Sequence, residues 1–137
     1  MRRLRSNNPR ADMELIFVFG SNLAGRHGKG AALHAKKVWG AAPGVGEGLT
    51  GRAYALPTKD RKIQTRPLSE IDKAIERFIA CAHENQDKLF LLTPVGCGLA
   101  GYKARDVGAM VRSKNPPKNV VLSTSWLDHF TPAGGLK

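Results

Sequence analysis

The chain is poor in the residues that would make it a disulfide-built, metal-built or membrane-spanning protein. Only two cysteines occur among its 137 residues, Cys81 and Cys97, too few for a disulfide framework. Both read as reduced thiols of a cytoplasmic protein. The grouping Cys81-x-His83 with Cys97 and His27 follows no zinc-ligand spacing, so no metal and no cofactor are expected. No apolar run approaches the roughly 18 residues that a bilayer span needs. The arginine-rich start lacks the apolar stretch of a secretory signal, and no membrane partner is expected. Acidic residues are also scarce: 11 Asp and Glu stand against 22 Lys and Arg, a formal net charge of +11. Such a field attracts nucleotides, nucleic acid or other polyanions. No base-reading motif accompanies it, so nucleic-acid contact is expected only as a weak interaction of the basic arm.

What remains is the composition of one globular domain. Apolar residues make up 42% of the chain, which is enough to build a core at this length. Residues 1–12 hold Arg2, Arg3, Arg5 and Arg10 and read as a flexible basic arm. Residues 13–137 read as a single domain.

Within it, strands alternate with helices. The run 14–19 is continuously apolar and stops at Gly20-Ser-Asn, as a strand buried on both faces does. Ala31, Ala32, Ala35 and Val38 recur at helical spacing between Gly28 and Trp39. Residues 43–48 are loop by composition, and 52–56 alternate as a short strand ending at Pro57. Ser69 reads as an N-cap, and Ile71, Ile75, Phe78, Ile79 and Ala82 form one apolar stripe running to His83. Residues 88–92 are a second buried strand, 104–112 a helix and 119–122 a last strand. A final turn over 125–130 packs Trp126 and Phe130 on the core. This order predicts an α/β fold of three α/β/α layers around a mixed, mainly parallel sheet.

Two glycine-rich loops follow predicted strands and open predicted helices. The first is Gly20-Ser-Asn-Leu-Ala-Gly-Arg-His-Gly-Lys-Gly30, the second Gly96-Cys-Gly-Leu-Ala-Gly101. In open α/β sheets, ligands bind beyond the carboxyl ends of strands. Glycines let amides approach a phosphate, and a helix N-terminus adds unpaired N–H donors and partial positive charge. Two such loops together can clamp a pyrophosphate. The first loop has neither the Gly-Lys-Ser/Thr ending of a P-loop nor the Gly-x-Gly-x-x-Gly order of a dinucleotide fingerprint.

At these residues the chain resembles the macrodomain superfamily, in particular a small branch associated with phages and bacteria. Ile16-Phe-Val-Phe-Gly-Ser-Asn22 followed by Gly28-Lys-Gly-Ala-Ala-Leu-His34 is similar to its strand, Asn-rich turn and Gly-rich helix start. Thr93-Pro-Val-Gly-Cys-Gly-Leu-Ala-Gly-Tyr102 is similar to its second loop. The resemblance covers residues 14–122 and implies a reduced macrodomain-like fold that binds ADP-ribose or a related NAD-derived nucleotide. It implies that Gly20, Ser21 and Asn22 border the distal ribose, with Gly28, Lys29 and Gly30 against it and the diphosphate. Gly96, Cys97, Gly98, Leu99, Ala100 and Gly101 would wrap the phosphates, and Tyr102 would border the ribose or adenine. The family's earlier strand with a Gly-Asp pair has no counterpart after the arginine-rich arm. Arg26 and His27 stand where the family often has glycine.

Some members of the superfamily hydrolyse ADP-ribosyl bonds, which makes an ADP-ribosyl hydrolase the alternative to a binding module. The reaction needs a water beside the anomeric carbon and a group to polarise it. Asn22 is a candidate to orient that water, and His27 and Asp60 are candidate bases. His27 also reads as an exposed loop residue, Lys59-Asp60 as a turn, and Lys59 as a phosphate contact. Cys97 reads as a small packed residue or as a thiol activated near helix N-termini. His34 reads as packed, and Glu47 as a ribose contact. A basic nucleic-acid-associated protein is the third reading.

Overall fold

The computed structural model describes residues 12–98, 100–131, 135 and 136. Nearly all of the predicted arm and Leu99 of the second loop lie outside them. Five strands form the main sheet: β1 (Glu14–Asn22), β2 (Gly48–Thr50), β3 (Ala53–Lys59), β4 (Lys88–Leu92) and β5 (Val120–Leu122). Their order is β2-β3-β1-β4-β5. All neighbours run parallel except β2, which is antiparallel to β3.

Residues 16–19 of β1 face two cores in alternation, which is why that run is apolar without alternating. Phe17 and Phe19 pack with Ala32 and Ala35 of helix α1 (Gly30–Val38) and with Ala53 and Ala55 of β3. Ile16 and Val18 pack on the other face with α2 (Leu68–Glu84) and α3 (Ala104–Ser113), through Ile71, Ile75, Phe78 and Val107. Helices therefore cover both faces, completing the three α/β/α layers.

Several expectations are corrected. The strand at 52–56 runs on through Pro57 to Lys59 and is buried rather than alternating. Pro57 is tolerated because β2 pairs only with residues 53–55, so the missing N–H falls beyond its end. Gly48, predicted as the end of the 43–48 loop, instead opens the short strand β2. Helix α2 starts at Leu68 after Pro67, with Ser69 inside its first turn and no side-chain cap. The amides of Glu70 and Ile71 bond to the Pro67 carbonyl instead. The last turn is a 3₁₀ helix (Thr124–His129) followed by a hairpin of β6 (Phe130–Thr131) and β7 (Gly135–Leu136). Trp126 is buried there and its Nε1 donates to the Leu92 carbonyl at 2.8 Å. The Phe130 side chain lies outside the description.

Candidate functional site

Strands β1 and β4 are neighbours whose outgoing connections diverge. From β1 the chain goes through α1 to β3 on one side, and from β4 through α3 to β5 on the other. Such a reversal opens a crevice between the two carboxyl ends. The two glycine-rich loops leave from those ends. Their roots touch: a Cβ on Gly20 would lie 3.5 Å from the Gly96 nitrogen.

The first loop is held by its own asparagine. Asn22 Nδ2 donates to the Arg26 carbonyl at 2.8 Å, and Asn22 Oδ1 accepts the Arg26 amide at 3.0 Å. Behind it lies the backbone of residues 44–46. The Gly44 amide donates to the Gly25 carbonyl at 2.9 Å, and Ser21 Oγ donates to the Gly46 carbonyl. Gly25 has φ +71°, and a Cβ there would sit 2.3 Å from the Gly44 carbonyl carbon. The loop then delivers the chain to α1 with no side-chain cap. The amides of Gly28, Lys29, Gly30, Ala31 and Ala32 donate to no described residue.

The second loop spends part of its amides on itself. Cys97 donates to the Pro94 carbonyl at 3.1 Å, Gly101 to Gly98 at 3.0 Å and Tyr102 to Gly96 at 2.7 Å. Those of Gly96, Gly98 and Ala100 donate to no described residue. Gly96 and Gly101, with φ +78° and +87°, bend the loop in the left-handed region.

Both loops border one cavity of about 960 Å³. Gly20, Ser21, Asn22, Gly28, Lys29 and Gly30 line it from the first loop, and Gly96, Gly98 and Ala100 from the second. Arg26, Lys29 and Lys59 supply cations, and no Asp or Glu is among the described lining residues. Lys59 sits opposite Asn22 in the register of β3 on β1. Ser123, Thr124 and Ser125, at the carboxyl end of β5, form a distant edge with His129.

Other sequence-predicted residues lie elsewhere. His27 is only 5% exposed, not a solvent-exposed loop residue, and is not part of the cavity wall. Its Nε2–H donates to the Ala42 carbonyl at 3.1 Å and its ring stands edge-on to Phe19. Asp60 is also outside the wall: its Oδ1 accepts the amides of Lys62 at 2.8 Å and Gln64 at 3.0 Å. Cys97 turns its side chain to the core under the loop. Burial, followed by the negative charge of Asp106, pushes its thiol up to about 11, the opposite of an activated nucleophile. Tyr102 Oη donates to the Arg66 carbonyl at 2.6 Å and does not face the cavity. Glu47 is paired bidentately with Arg77 of α2 at 2.7 and 3.2 Å rather than facing a ligand. His34, expected to be packed, is exposed, stands edge-on to Phe17 and lines the cavity.

Sequence reasoning missed Thr58, Ile63, Trp39 and the 123–125 edge. The carboxyl-end rule applied to β5 would have found the last. Trp39 stacks on Phe17 at 5.3 Å beneath Arg52, a contact between segments that no local pattern encodes.

The sequence matches no family model and no curated protein. Among solved structures, the macrodomain of Mycobacterium tuberculosis DarG superimposes with a TM-score of 0.61 at 23% identity, over 87% of this chain and 93% of that one. The macrodomain of Thermus aquaticus DarG gives 0.61 at 20% identity, over 88% and 93%. The fold is macrodomain-like.

Proposed function

On this macrodomain-like fold, we propose that the cavity binds ADP-ribose or a related NAD-derived, phosphate-bearing nucleotide, with its diphosphate between the two loops. The supporting observation is that both loops line one cavity free of described carboxylates and carry amides that donate to no described residue. The N-terminus of α1 adds its partial positive charge on one side, and Gly96, Gly98 and Ala100 offer amides on the other. Charge-assisted bonds of this kind contribute roughly 1.5–3 kcal/mol each. A few of them are of the size of the ~8 kcal/mol that micromolar binding represents. Asn22 and Lys59 border the terminal ribose, and the hydroxyls of Ser123, Thr124 and Ser125 form the edge for the base. Calorimetry with ADP-ribose tests this. A Kd of tens of micromolar or tighter is expected, and a Kd weaker than millimolar overturns the reading.

The hydrolase reading draws support from one observation: Lys59 and Asn22 meet in register at the same end of the cavity. His27 and Asp60 take no part in it. Turnover of an ADP-ribosylated substrate, lost in Lys59→Ala and kept in Asp60→Ala, would favour the enzyme. Binding of ADP-ribose without turnover leaves the binding module.

A further inference from the structure

The turn between β3 and α2 presents to the cavity a side chain in a backbone conformation that its own shape disfavours. Ile63 has φ 62°, in the left-handed region, where a β-branched side chain crowds its backbone. Glycine or asparagine occupies that region with far less strain. The isoleucine is not there to fill the core. It is 37% exposed, a large apolar side chain left on the surface, and it forms part of the cavity wall.

The turn that holds it is braced on both sides. Asp60 accepts two amides through its side chain and donates its own amide to the Gln64 carbonyl at 2.8 Å. Thr65 Oγ1 donates to the Ala100 carbonyl at 3.2 Å, and Tyr102 Oη to the Arg66 carbonyl, so the turn is fastened to the second loop. The surrounding structure therefore over-determines a conformation that costs folding free energy and gains little packing in the free protein. Strain of this kind collects at ligand clamps.

We propose that Ile63 is a specificity contact, an apolar cover over the terminal-ribose end of the ligand beside Lys59 and Asn22. The inference rests on the nucleotide reading of the cavity. A ribose offers hydroxyls to the polar pair and a carbon face to the isoleucine. ADP, which lacks that sugar, does not reach Ile63.

The experiment compares wild type, Ile63→Asn and Ile63→Val by thermal melting and by calorimetry with ADP-ribose and with ADP. Ile63→Asn is expected to melt at or above the wild-type temperature. Its ADP-ribose affinity should fall roughly five- to tenfold, the loss of one apolar contact of this size, with ADP affinity unchanged. Ile63→Val should retain the preference for ADP-ribose. Unchanged ADP-ribose affinity in Ile63→Asn, equal losses for both ligands, or a lowered melting temperature would each overturn the inference and leave the nucleotide reading intact. A wild-type protein that binds neither ligand would overturn both.

Discussion

Asn22 closes a ring with Arg26, donating from Nδ2 to its carbonyl at 2.8 Å and accepting its amide on Oδ1 at 3.0 Å. The side chain that the family resemblance places at the ligand is thus first a brace for the loop. One Nδ2 hydrogen and one Oδ1 lone pair remain for a ligand. Asn22→Ala should therefore lower stability by about 1–2 kcal/mol and weaken ADP-ribose binding together. Urea unfolding and calorimetry on the same variant check this. Weakened binding at unchanged stability would show that Asn22 contacts the ligand without holding the loop.

Two glycines should differ sharply under the same substitution. At Gly25 a Cβ would meet the Gly44 backbone at 2.3 Å, and φ is +71°. Gly98 has open space around the same position. Gly25→Ala should cost roughly 3 kcal/mol or more, through combined clash and backbone strain. Gly98→Ala should stay within about 0.5 kcal/mol, as surface changes generally do. Denaturant midpoints compare them, and equal effects would contradict the contact of residues 44–46 with the first loop.

Tyr102 secures the second loop rather than lining the cavity. Tyr102→Phe removes the bond to Arg66 and should cost about 0.5–1.5 kcal/mol. ADP-ribose affinity should change less than twofold in calorimetry. A large affinity loss at unchanged stability would assign the hydroxyl to the ligand.

Stability should decline on the alkaline side. Burial raises the Cys97 thiol from its ordinary value near 9 to about 11. Burial, with the charges of Cys81 and Glu47, raises the Tyr54 phenol above its ordinary range as well. A group whose folded pKa exceeds its unfolded one binds more protons in the native state, so stability falls as pH rises between the two. The urea midpoint should hold from pH 7 to about 8 and drop increasingly from about pH 9 upward, where the unfolded thiol is about half ionised. A midpoint that stays level to pH 10.5 would contradict the burial of both groups.

Much of the framework was legible because each buried strand is a short apolar run ended by a polar or glycine signal. Residues 88–92 match strand β4, closed by Thr93-Pro94. Strand β1 extends three residues past its apolar run because Gly20 and Ser21 keep their register with β3 and Asn22, after a register shift, still pairs with it, opposite Lys59. Strand β2 has only three residues and two of them are not apolar. The signal lay in Gly51-Arg52, a two-residue hairpin turn with Gly51 at φ +56°. The two loops were legible as backbone features, since glycine after a strand announces them. The direction of each side chain was not. His27 turns inward to the Ala42 carbonyl and Cys97 turns to the core, both settled by packing between distant segments. Nothing in residues 60–66 announces that Ile63 adopts a left-handed conformation beside the cavity.

Amide chemical shifts followed during titration with ADP-ribose test the shared cradle most directly. The resonances of Gly28 and Gly30 in the first loop and of Gly96 and Gly98 in the second should move together along one saturating curve. Movement in one loop only, or separate curves for the two, would contradict it.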